Sequence, residues 1–191
     1  MSAKRALFTT PSRSTPKRRR ITPQTRQVMR IPRSLLPETK QFIRSILTGT
    51  TNTAYSSIYQ DMSQGDDGTQ FVGTKFRMLR LRVMYDFSQL SLTEGVRMSV
   101  VIPKNPSVVP SLLSAITPWD TQQYTVLFDR IVGDDTSLVT GTFDVKGPIT
   151  LEGDSSGFTP LRNNVIVYFQ SASSGANLAS KVNYQMWFTD N

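Results

Sequence analysis

From residue 38 onward, Val, Ile, Leu, Phe, Tyr and Thr come in short runs separated by Gly, Asn, Asp and Ser. This pattern predicts strands joined by turns, with little helix. Eight strands are expected, at about 40–48, 54–60, 75–87, 95–102, 123–132, 142–151, 164–171 and 181–189. In the third, Leu79, Leu81, Val83, Tyr85 and Phe87 alternate with Arg80, Arg82, Met84 and Asp86, so one face can join a core. The last repeats the alternation with Val182, Tyr184, Met186 and Phe188. The seventh is apolar on both sides, as a central strand covered on both faces would be. A short helix is expected only at 111–116, after Pro110.

On an up-and-down path, successive connections fall at alternate ends of the body. Loops 49–53, 88–94, 133–141 and 172–180 would share one end, and the longer 61–74, 103–122 and 152–163 the other. A body tapering from a broad end to a narrow one suits closed packing around a symmetry axis.

Residues 1–37 follow no such pattern. Pro11, Pro16, Pro23, Pro32 and Pro37 leave no room for a long helix, and the scattered apolar residues build no face. A disordered arm is expected, followed by one domain over 38–191. Charge divides at nearly the same place. Residues 1–44 hold 12 basic side chains and one acid, Glu38, a net +11; residues 45–191 hold 10 basic and 13 acidic, a net −3, which together give +8. Clustered cations gain free energy by displacing counterions from phosphates, so a nucleic acid is the expected partner. Its candidate contacts are Lys4, Arg5, Arg13, Lys17, Arg18, Arg19, Arg20, Arg26, Arg30 and Arg33. Lys4-Arg5, 11 residues, then Lys17, Arg18, Arg19 and Arg20 also have the form of a two-cluster nuclear import signal. A nuclear import receptor is therefore a second expected partner.

The chain has no His and no Cys, which removes the commonest general acid-base, the thiol nucleophile and the usual zinc ligands. The adjacent pairs Asp66-Asp67 and Asp134-Asp135 point apart in extended backbone and read as turn residues. Gly65, Gly68 and Gly73 lack the Lys-Ser/Thr of a phosphate loop. No enzyme is expected. No apolar run approaches a membrane span, and no cleavable signal is expected because the basic start leads into no apolar stretch.

Trp119 in the long loop and Trp187 on the last strand are expected at subunit interfaces, where aromatics concentrate, with base stacking as the other reading. Arg80 and Arg82, on the face away from the core, either line an inner surface or are solvated.

The arm, QGDDGTQFVGTKFRMLRLRVMYDF (64–87), VRMSVVIPKN (96–105), YTVLFDR (124–130), VIVYFQS (165–171) and VNYQMWFTD (182–190) come in the order of small viral coat proteins. Over almost its whole length the chain resembles the single jelly-roll capsid proteins of small circular single-stranded DNA viruses, circoviruses among them, and is similar to satellite necrosis virus coat proteins. The resemblance implies an all-β, eight-stranded antiparallel jelly roll of two four-stranded sheets. It further implies a T=1 shell of sixty copies with the arm inside on the genome, and hence residence in the virion and, during assembly, the host nucleus. It also implies a calcium ion between subunits, held by Asp190 and the carbonyls of Val72 and Lys75, although the Lys75 ammonium and a merely solvated Asp190 argue against it. The alternatives are the coat protein of a single-stranded RNA satellite virus and, from a different class, a nuclear nucleic-acid-binding regulator or chaperone with a β-sandwich body. Against the latter, the chain has neither the acidic tracts of a chaperone nor a recognition helix.

Overall fold

The strand Ile166–Ser171 is buried at all six positions, with one sheet of the body on one side of it and a loop on the other. It is β9 of a computed structural model that describes residues 38–46, 48–49, 52–65, 67–88, 95–112, 114–132, 140–154, 156, 159–171, 178 and 181–190. All of these belong to one unit, Leu36–Asn191. The arm 1–37, with its ten basic candidates and the import signal, lies outside the described residues, as do Asp66, Asp134, Asp135 and most of loops 88–94, 133–141 and 172–180.

Among the described residues the body is all-β apart from one helical turn. Its elements are β1 (Lys40–Ser45), β2 (Thr48–Gly49), β3 (Thr53–Ser57), α1 (Ile58–Asp61), β4 (Lys75–Asp86), β5 (Val96–Pro103), β6 (Tyr124–Val132), β7 (Thr140–Gly153), β8 (Pro160–Arg162), β9 and β10 (Val182–Asp190). They form two antiparallel sheets in the orders β1-β10-β4-β7-β8 and β2-β3-β9-β5-β6. The pairings nest: β1 with β10, β3 with β9, β4 with β7, and β5 with β6 innermost. The chain thus runs as one long hairpin whose two halves cross between the sheets together. Among the described residues no helix is long and apolar enough to cross a membrane.

Each sheet has five strands rather than the expected four. The strand expected at 40–48 divides at Ile46, where the chain leaves the first sheet for the second, and β8 is an added edge against the end of β7. The strand expected at 54–60 stops at Ser57, because Ile58 and Tyr59 are both fully buried. Neighbours in a strand point to opposite faces, so one helical turn is needed to bury both. No helix forms among the described residues of 111–116, since the backbone groups that would propagate it are bonded to β9 and β5.

The core lies between the sheets. Phe76, Met78, Leu81 and Val83 of β4 and Tyr184, Met186 and Phe188 of β10 meet Met98, Val100, Val167 and Phe169 from the second sheet. Leu79, expected in this core, is not part of it. A bulge between Met78 and Arg80 shifts the alternation, so Phe76 and Met78 point inward on one side and Leu81 on the other. Opposite the bulge, Gly147 of β7 comes so close that a Cβ there would strike the Met78 carbonyl, and only glycine fits.

Candidate nucleic-acid interface

The outer face of the first sheet is built in rows, because antiparallel register sets side chains on one face directly opposite each other. One row runs Gln41, Trp187, Arg80, Lys146 across β1, β10, β4 and β7. The next runs Ile43, Gln185, Arg82, Asp144. Arg77 stands on the same side of β4, exposed, beyond the bulge. Four cations therefore meet a single acid in the middle of this face, Arg77, Arg80, Arg82 and Lys146 against Asp144. The body from residue 45 onward is net negative, so the face runs against the charge of its own domain.

Asp144 receives both arginines of β4. Arg80 Nη2 donates to Oδ2 at 2.5 Å and Arg82 Nε to Oδ1 at 3.1 Å. Hydrogen bonds from Arg80 and then Arg82 hold the Asp144 carboxyl below its ordinary range. The same guanidiniums stack on Trp187, with Arg80 Cζ 5.1 Å and Arg82 Cζ 5.9 Å from the ring centroid. Arg80 Nε is covered and makes no hydrogen bond among the described residues. Arg77 and Lys146 make no ion pair among the described residues.

The outer face of the second sheet is different, because the loop 103–122 is laid back over it. Trp119, only 6% exposed, packs edge-on against Tyr124 and Tyr168 at 4.9 and 5.2 Å, over Val101 and Ile166. Its Nε1 donates to Ser99 Oγ at 2.9 Å, and Ser99 Oγ donates to Asp129. Arg97, 5% exposed, grips Asp129 with Nε and Nη2 at 2.8 and 2.5 Å and gives Nη1 to the carbonyls of Ala115 and Thr117. Leu112 gives its N–H to Tyr168 Oη and accepts from Gln170 Nε2, both at 3.3 Å. Trp119, expected at a subunit interface, packs into its own chain, because the loop folds over the sheet rather than extending one end. Trp187 lies on the open face, half-buried by the two arginines.

The expected cation corner is occupied from within the chain. Lys40 Nζ sits 2.8 Å from Asp190 Oδ2 and donates to the Gln70 carbonyl at 3.1 Å. Asp190 Oδ1 takes the Val72 N–H at 3.3 Å, so Asp190 faces the amide of Val72 and not its carbonyl. Lys75 pairs with Glu152 at 3.0 Å. Among the described residues no group of three acidic, His or Cys side chains is placed to hold a metal.

Sequence reasoning singled out Arg80, Arg82 and Trp187 but missed Asp144, Lys146, Lys40 and the Arg97–Asp129 pair. Only register brings Asp144 and Lys146 opposite β4, and no local spacing signals it. Arg97 left a trace, as a lone cation in the otherwise apolar run VRMSVVI. No family model matches the chain, and no curated protein matches it.

Proposed function

We propose that this chain is the coat protein of a small icosahedral virus. Its body is a jelly roll that assembles as sixty copies in a T=1 shell, and its arm binds the single-stranded DNA genome inside. The observation that carries the reading is the charge split, a +11 segment without core-forming pattern joined to an acidic β body. The nested strand order supports the jelly roll, since β1-β10-β4-β7 and β3-β9-β5-β6 is the order made when a long hairpin is rolled into two sheets. Sixty arms at +11 put roughly 660 positive charges inside a shell, an interior that closes readily only around a polyanion. The import-signal form of residues 4–20 supports assembly in a nucleus.

Electron microscopy of the purified full chain with single-stranded DNA tests the reading. Uniform closed particles are expected, fewer when the DNA is withheld. Soluble complexes without particles would overturn it in favour of a nuclear nucleic-acid-binding regulator.

A further inference from the structure

We propose that the open face of the first sheet is itself a binding surface for single-stranded nucleic acid, on which a base stacks against Trp187 while Arg77, Arg80, Arg82 and Lys146 hold the flanking phosphates. The inference rests on the packaging reading only for the identity of the polyanion. It adds a contact made by the folded body, separate from the arm.

Three observations carry it. The first is asymmetry: the loop 103–122 covers the outer face of the second sheet over β5 and β9 through Trp119 and Arg97, whereas among the described residues no segment covers the first. The second is charge. The middle of the face sets four cations against one acid, with Asp86 and the Lys75–Glu152 pair at its two ends, and on a body that is net negative this arrangement complements a polyanion. The third is the local chemistry. An indole flanked by two guanidiniums offers a flat apolar surface for a base and donors for the phosphates on either side of it, the combination by which proteins hold single strands without reading sequence. Asp144 spaces the arginines and keeps them against the ring. Arg80 Nε, covered in this arrangement, makes no hydrogen bond among the described residues.

The two tryptophans make the test direct. Trp119 is sealed at 6% exposure, so a change in emission on adding a strand reports Trp187. The full chain is titrated with a single-stranded oligothymidylate and, separately, with heparin, a polyanion without bases. Mobility shift measures total binding alongside. Oligothymidylate should quench the emission and heparin should not. Trp187→Phe should abolish the quenching while leaving the mobility shift largely in place, because the arm still binds. Replacing Arg80 and Arg82 together by Gln should weaken the quenching titration about tenfold. It should also flatten its salt slope by about 1.4. Asp144→Asn, which removes the acid between the two arginines, should tighten the quenching titration, a gain that misfolding cannot mimic. Circular dichroism checks each variant.

Quenching that survives in Trp187→Phe, or a mobility shift with no quenching, overturns the proposal and leaves the packaging reading intact. Equal quenching by heparin or by an acidic peptide overturns it too, making the face a general anion surface. Absence of any mobility shift overturns both readings.

Discussion

Lys40 Nζ and Asp190 Oδ2, 2.8 Å apart, tie the first strand of the body to the end of the last. The ammonium also takes the Gln70 carbonyl, so one side chain fastens β1, β10 and the loop before β4. Its position at Asp190 is the one a calcium ion shared between subunits would need. Lys40→Met should lower the unfolding free energy by about 1.5–3 kcal/mol, the usual contribution of hydrogen bonds to charged groups. Neither millimolar calcium nor a chelator should move the melting temperature of the unmodified protein. A rise with calcium would mean that Lys40 yields its place to the ion.

Trp119→Ala removes a buried indole and the partner of Ser99, and should destabilise the fold by about 3–5 kcal/mol in chemical denaturation. Any loss of particles should then follow loss of the folded subunit. Full stability with lost particles would return Trp119 to an interface.

Arg97 is buried with a bidentate carboxylate and two loop carbonyls as partners. Arg97→Ala should destabilise by about 3 kcal/mol, because Asp129 and the carbonyls lose their donor together. Limited proteolysis should cut first within 103–122. Arg97→Lys should restore little of this, since an ammonium cannot span both carboxylate oxygens and both carbonyls.

Asp144 gives a pH signature. Its carboxyl is held low in the folded state, first by Arg80 and then by Arg82, so its contribution is present above the unfolded value of about 3.9 and fades as pH falls through the folded one. Asp144→Asn should therefore lower stability at neutral pH by up to about 1 kcal/mol, the pair being partly exposed and screened. The two proteins should converge in strong acid. A difference that persists there would point to packing and not to charge.

The arm prediction concerns residues 1–37, with ten basic side chains and no acid. Their deletion should remove most nucleic-acid affinity and most of its salt dependence between 50 and 200 mM. A reporter carrying residues 1–23 should enter nuclei, and changing Lys17, Arg18, Arg19 and Arg20 to Ala should prevent entry. Undiminished salt-sensitive binding after the deletion would remove the arm from the packaging role.

Strand positions, the all-β class and the burial of 166–171 were legible in the chain, because alternation and apolar runs are local and a strand needs only its own residues to declare its faces. The charge split was legible for the same reason, since charge adds along the sequence whatever the fold. Register was not. The bulge that takes Leu79 out of the core and brings Met78 in depends on how closely β7 approaches at Gly147, more than sixty positions away. Asp144 between two arginines, Lys40 at Asp190 and Arg97 under the loop all join residues distant in sequence. Trp119 shows the limit most directly: an indole after a proline in a long loop reads as exposed, and only the folding of that loop over the second sheet buries it. Chain order set which side chains exist on each strand, and the pairing of strands far apart decided which of them meet.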